Sequence, residues 1–317
     1  MGKKIIVTGS AGFIGYHLTS LLLSQGHEVT GIDDLRNNGE IAKERLSLLK
    51  RHKNYHHIPE KRGNYILLSS HRIFGEAESL IHLAAYPGVR GSYTPEEYMQ
   101  NNVMETINLF DLCKDFDIKN ILFASSSSVY GDSMFQSKES SPLAPKSFYA
   151  LTKQIGESIA QHYCKTYGLN ITAFRFFTVY GHWGRPDMAP YIFTEAILNN
   201  QPVKLYGYGQ ARRDYTYIDD LISGIDLIIK NQKPGFDVFN IGSEFPVSNR
   251  IVADMIADIL DTDYAFDLLP LCPGEVETTY ADILKIKELG YSPKTSIRGG
   301  LKKYVNWHKE YYGREKK

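Results

Sequence analysis

Ile5, Ile6 and Val7 form a short apolar run that Thr8 and Gly9 bring to an end. Phe13, Ile14, His17, Leu18, Leu21 and Leu22 follow at helical spacing as far as Gly26. This change of period predicts a strand leading into a helix. Residues 28–33 (EVTGID) read as the next strand, and 79–85 (SLIHLAA) and 120–125 (NILFAS) as further buried ones. Helical segments lie around 41–51 and 98–113, and a longer one spans 148–167 before a strand at 171–177. Strands separated by helices of this length imply right-handed crossovers and a parallel sheet with helices on both faces.

After residue 177 the rhythm changes. Residues 181–189 (GHWGRPDMA) form a loop without periodicity. A helix at 191–200 and a short strand at 203–206 follow, and 214–218 with 221–230 resemble a return to the first layer. Two more helices are expected at 248–260 and 297–311. The expected fold is α/β, a Rossmann-type doubly wound parallel sheet with a smaller α/β C-terminal substrate region. The sheet domain should comprise 1–177 plus about 210–240, and the smaller domain about 178–209 plus 241–317.

Composition narrows the function classes. The 317 residues carry 36 Lys and Arg against 36 Asp and Glu, so the formal charge is zero. A nucleic-acid binder usually shows a basic excess, and no such partner is expected. No apolar run is long enough to span a bilayer, so no membrane partner is expected either. The apolar stretch after Lys4 is too short for a secretory signal. Cys113, Cys164 and Cys272 are odd in number and widely spaced, which suggests neither a disulfide framework nor a metal site. The expected location is cytoplasmic.

Three motifs carry candidate chemistry. Gly9-Ser10-Ala11-Gly12-Phe13-Ile14-Gly15 follows a strand and opens a helix. Glycines at such a turn let backbone approach a pyrophosphate, and the helix N-terminus offers unpaired N–H groups. Asp33 ends the next strand about 20 residues on, where an acid binds the adenosine ribose diol. Asp33, or Asp34 beside it, would repel a 2′-phosphate, which favours NAD over NADP. A tight strand–helix turn alone would explain the glycines. Tyr149 and Lys153 stand at i and i+4 on one helix face. A tyrosine with a pKa of about 10 needs a nearby cation to act as a base at neutral pH, although such a pair also occurs by chance on solvated helices. Ser125 to Ser128 follow a buried strand at its carboxyl end, where ligands bind in open α/β sheets. A polar loop is the plainer reading.

These motifs, with His82-Leu83-Ala84-Ala85 and Arg213-Asp214-Tyr215-Thr216-Tyr217-Ile218, resemble the extended short-chain dehydrogenase/reductase family of nucleotide-sugar epimerases and dehydratases. The resemblance covers nearly the whole chain. It implies NAD as cofactor, with Gly9, Gly12, Phe13, Ile14, Gly15, Asp33, Asp34, Asn64, Leu83, Ala84, Ala85, Tyr149 and Lys153 around it. It implies Tyr149 as catalytic base, Lys153 on the nicotinamide ribose and Ser126 as the assisting hydroxyl.

Within that family, dehydrating members carry an Asp-Glu pair where this chain has Ser127 and Ser128. The run RFFTVYG at 175–181, followed by GRPDMA at 184–189, most resembles UDP-glucuronate 4-epimerases. The implied reaction is reversible C4 epimerisation of UDP-glucuronate to UDP-galacturonate through a 4-keto sugar. UDP-glucuronate decarboxylation and 4-epimerisation of a neutral UDP-hexose remain alternatives. Ser127, Ser128 and Thr178 would donate to the sugar carboxylate, with Arg185 supplying positive charge; a loop ion pair with Asp187 is the other reading of Arg185. Arg90 is a further candidate for the UDP-sugar, Arg213 for the diphosphate and Glu275 for the uridine ribose. The chain departs from the family pattern at Asn64, at His182 where a proline is common, and at Leu271–Cys272, where an arginine is common. Family members commonly pair through two helices. Ile107, Phe110 and Ile155 would line such a contact, giving a homodimer, unless they are buried against the chain's own sheet.

Overall fold

The computed structural model describes residues 2–36, 39–59, 73–88, 93–132 and 135–315. Two site candidates, Asn64 and Arg90, lie outside these residues. The strands are β1 (Lys4–Thr8), β2 (Glu28–Ile32), β3 (Tyr55–Ile58), β4 (Ser79–His82), β5 (Asn120–Ser126), β6 (Asn170–Phe176), β7 (Thr178–Tyr180), β8 (Val203–Tyr206), β9 (Arg212–Tyr217), β10 (Phe236–Ile241), β11 (Pro246–Ser248) and β12 (Phe266–Leu269). The helices are α1 (Phe13–Ser24), α2 (Gly39–Leu49), α3 (Ile73–Glu76), α4 (Pro95–Tyr98), α5 (Glu105–Asp115), α6 (Phe148–Tyr167), α7 (Ala189–Leu198), α8 (Ile218–Lys230), α9 (Asn249–Leu260), α10 (Leu284–Lys287) and α11 (Ile297–Glu315).

Seven strands form one sheet in the order β10-β6-β5-β4-β1-β2-β3. Every pairing in it is parallel. The apolar run of β1 is continuous because both faces are covered. Ile5 and Val7 enter one core with Leu18, Leu22 and Phe174, while Ile6 enters the other with Phe110, Phe123 and Tyr163. The chain reverses its direction of winding between β1 and β4, the place where doubly wound sheets open a crevice for ligands.

Three expectations need correction. The helix expected at 98–113 begins earlier, at Pro95, where Thr94 and Glu97 form a capping box. It passes through a π-helical turn at Met99–Met104 before α5. The segment near 214–218 does not return to the main sheet: β9 pairs in parallel with β7 and antiparallel with β11 in a separate three-stranded sheet. The strand that does return is β10, beside β6, whose sequence FDVFNI breaks its apolar run with Asp237 and Asn240. Asn240 is buried, and its side chain donates to the carbonyls of Ser137 (2.7 Å) and Asp282 (3.0 Å). A polar strand residue there serves to tie down the C-terminal region. Phe110 is fully buried in the chain's own core, edge-on to Phe123 and Tyr163, so it lines no contact surface.

Candidate active site

The β1–α1 turn is shaped by its own backbone. Gly9 has φ of 73°, and a Cβ there would lie 2.9 Å from the amide nitrogen of Ala84. A Cβ at Gly15 would lie 1.9 Å from the carbonyl oxygen of Gly9. Both positions therefore exclude any side chain. No side chain caps α1 at Gly12. Gly9, Gly12, Phe13, Ile14, Gly15, Asp33, Leu83, Ala84 and Ala85 all line one cleft. First-turn N–H groups facing a cleft beside close-packed glycines suit a pyrophosphate. Asp33 accepts from the amides of Ala11 and Leu35, both at 2.9 Å. It lines the cleft; Asp34 instead accepts from the Arg36 amide at 3.1 Å and is not part of the lining.

Tyr149, Lys153 and Ser126 stand on the floor of the same cleft. Helix α6 brings the first two there; it begins where the Ser147 side chain accepts from the Ala150 amide at 3.1 Å. The buried Lys153 donates to the carbonyl of Ala124 at 2.7 Å, and its ammonium lies 5.9 Å from the Tyr149 ring centroid. Burial pushes the Tyr149 phenol above its ordinary range, while its hydrogen bond with Ser126 and the charge of Arg185 pull it back. Ser126 also accepts from the amide (3.2 Å) and hydroxyl (2.8 Å) of Ser128.

A second lobe opens beyond Tyr149. Ser126, Ser127, Ser128, Thr178, Arg185, Arg213 and Glu275 all line it. Tyr149, Ser126 and Arg185 line both lobes, so the two form one continuous cleft. The Arg185 guanidinium grips Asp187 through both arms, Nε to Oδ1 at 2.9 Å and Nη2 to Oδ2. The ion pair and the place in the cleft thus coexist. Arg213 donates to the carbonyls of Arg212 (2.9 Å) and Glu277 (3.2 Å).

Several lining residues gave no sequence signal. Lys146, Asn249 and Thr279 line the second lobe from three separate segments, and only the fold gathers them. Tyr98 donates its hydroxyl to the Gly88 carbonyl at 2.9 Å and so holds the Pro87–Gly88 segment, which lines the second lobe with Tyr149. Asp214 stood inside a quoted motif without a role. Its buried carboxylate accepts from the Ser243 amide (2.7 Å) and hydroxyl (2.8 Å) and the amides of Glu244 (3.0 Å) and Ala281 (3.1 Å), fixing the strand that carries Arg213. Among the described residues, no cluster of three His, Cys, Asp or Glu side chains is arranged to hold a metal ion. No helix among them is long and apolar enough to cross a membrane.

Residues 5–242 match the NAD dependent epimerase/dehydratase family. A UDP-glucuronate 4-epimerase of Thermodesulfobacterium geofontis is 36% identical over 315 residues, 96% of each chain. A UDP-glucuronic acid 4-epimerase of Bacillus cereus, solved with UDP-glucuronic acid and NAD, superposes with a TM-score of 0.90 at 34% identity, covering 97% of this chain and 99% of the other. A UDP-glucose 4-epimerase of Thermus thermophilus, solved with NAD, superposes with a TM-score of 0.89 at 25% identity, again over 97% and 99%. The two TM-scores are almost equal, so backbone shape does not separate a charged from a neutral sugar substrate. Side chains in the cleft must.

Proposed function

The chain belongs to the NAD dependent epimerase/dehydratase family, and from that premise we propose that it catalyses the reversible C4 epimerisation of UDP-glucuronate to UDP-galacturonate. The observation that carries this choice is the wall of the second lobe. It offers the hydroxyls of Ser127, Ser128 and Thr178 and the guanidinium of Arg185 beside Tyr149. No carboxylate stands at 127 or 128 to assist loss of water.

The β1–α1 cradle fits NAD, because only glycines leave room there for a pyrophosphate and Asp33 disfavours a 2′-phosphate. Gly9, Gly12, Phe13, Ile14, Gly15, Asp33, Leu83, Ala84 and Ala85 would hold it. NAD, when bound, supplies the acceptor and then the donor of the C4 hydride. Tyr149 takes the proton of the C4 hydroxyl and later returns it, with Ser126 steadying the same oxygen. Lys153, whose ammonium lies 5.9 Å from the centroid of the phenol ring, would hold a ribose hydroxyl, while the Ser126 hydrogen bond and the Arg185 charge oppose the upward push of burial on Tyr149. Arg213 retains the diphosphate and Glu275 the uridine ribose while the 4-keto sugar turns. That intermediate is a β-keto acid, which loses CO₂ when charge leaves its carboxylate. Hydrogen bonds from Ser127 and Thr178, and from Ser128 once its hydroxyl turns from Ser126, would hold the charge on the carboxylate and so oppose the loss.

Residues 1–177 with about 210–240 form the NAD domain, and about 178–209 with 241–317 the UDP-sugar domain. The protein works as a homodimer in the cytoplasm. Support for pairing comes from an apolar groove along α5 and α6, lined by Ile107, Ile155, Ile159 and Tyr163. Support for the compartment comes from three free cysteines.

The test incubates purified protein with UDP-glucuronate and follows the products by NMR. UDP-galacturonate should accumulate to a fixed ratio with no net change in NAD. A UDP-pentose with CO₂, or turnover confined to UDP-glucose or UDP-N-acetylglucosamine, would overturn the reading.

A further inference from the structure

Arg45 lies on α2, behind the lining of the cleft, and is fully buried. Its Nη1 donates to the carbonyl of Ala11 at 2.8 Å, and its Nη2 to the carbonyl of Trp183 at 2.9 Å. Ala11 is the middle of the glycine-rich turn, and its own amide is held by Asp33. The peptides on either side of Ala11 are thus both held. Trp183 stands two residues before Arg185, in a left-handed backbone conformation with φ of 61°. Its ring is fixed by Tyr16, Trp307 and Tyr311 at centroid distances of 5.7, 5.5 and 5.0 Å. A second tether lies alongside: His17 Nε2 is 3.0 Å from the carbonyl oxygen of His182.

Burial of a guanidinium is costly, and here the Nε finds no partner among the described residues. Burial lowers its pKa to about 10, which leaves it charged at neutral pH. What only a planar fork with two outward N–H arms can do is hold two carbonyls from two separate loops at once.

We propose that Arg45 is a positioning residue that links the two halves of the site, so that filling the dinucleotide cradle and filling the UDP-sugar lobe strengthen each other. Order in the turn at Ala11 is passed through one guanidinium to the loop that sets Arg185. The proposal rests on reading the second lobe as the UDP-sugar site. Linkage of this kind is reciprocal: each ligand must tighten the other by the same factor.

The experiment measures NAD affinity by tryptophan quenching, with and without saturating UDP, for the wild type, Arg45→Met and Arg45→Lys. UDP should tighten NAD binding by about five-fold or more in the wild type. Arg45→Met should cut that factor to below about two-fold, and Arg45→Lys should fall between. A factor unchanged in Arg45→Met, with only the thermal midpoint lowered, would overturn the proposal and leave Arg45 a packing residue. So would a wild type that binds both ligands without linkage. A wild type that binds NAD but not UDP would overturn the reading of the second lobe, and the proposal with it. If Arg45→Met does not fold, hydrogen exchange on the wild type decides. UDP alone should slow the amides around Ala11 and Arg45, and no slowing there overturns the link.

Discussion

Glu157 accepts both arms of the Arg175 guanidinium, Nε at 2.9 Å and Nη2 at 2.6 Å, one helical turn along α6 from Lys153. Both side chains are buried, at 3% and 5% exposure. Glu157 also accepts from the hydroxyl of Ser125 at 2.5 Å, and Arg175 donates to the Tyr130 hydroxyl at 2.8 Å. The pair therefore fastens the helix of Tyr149 and Lys153 to the strand end that presents Ser126. Glu157→Gln leaves the guanidinium buried without a counter-charge and should cost about 3 to 5 kcal/mol in urea unfolding. Glu157→Leu combined with Arg175→Leu should recover part of that loss. Strict additivity of the two single changes would contradict the coupling.

Tyr149→Phe keeps the ring and removes the proton acceptor. Turnover of UDP-glucuronate should fall by about 10³-fold or more, while NAD stays bound after gel filtration. Near-normal turnover would remove Tyr149 from the role of base.

Arg185 lowers the Tyr149 phenol through its charge, against the upward push of burial. A base must be deprotonated to act. Removing the cation raises the phenol further, so in Arg185→Met the acidic limb of kcat/KM should move to higher pH. A limb that stays put, or moves to lower pH, contradicts the electrostatic role. The same variant should lose about 10- to 100-fold in kcat/KM for UDP-glucuronate, the worth of a charged hydrogen bond. Compared on the plateau above that limb, any turnover of UDP-glucose should be affected far less, because it lacks the carboxylate.

Ile155 is half-buried on the open face of α6 and lines the groove with Ile107. Light scattering after size exclusion should give twice the chain mass for the wild type. Ile155→Arg should shift the population to single chains at micromolar concentration. A monomeric wild type would leave the groove without its proposed partner.

Much of this molecule could be read from its sequence, and the limits have physical causes. The apolar run of β1 and the period of α1 announce a doubly wound sheet because both faces of a parallel sheet are covered. Phe148–Tyr167 was legible to the residue, since Ser147 and Gly168 mark its ends. Strand β10 was not, because its polar residues serve contacts made by segments distant in sequence. The glycine turn, Tyr149, Lys153 and the serine run were visible because their chemistry depends on local spacing. Lys146, Asn249 and Thr279 were invisible because they meet only in space. Arg45 was invisible for a different reason: on a helix with alternating charges it reads as a solvated residue, and nothing local says that two carbonyls wait beneath it.

On the proposed role of Arg185 at the sugar carboxylate, the bidentate grip of Asp187 turns sugar binding into counter-ion exchange. Asp187 is 60% exposed and Arg185 22%, so the acid is the partner free to swing into water. A sugar carboxylate that takes its place swaps one anion for another on the same fork. The local charge of the pocket does not change, and no bare cation is ever left in it. Such a swap yields selectivity for an acid at little gain in affinity, which suits an enzyme whose substrate and product carry the same carboxylate and must both leave.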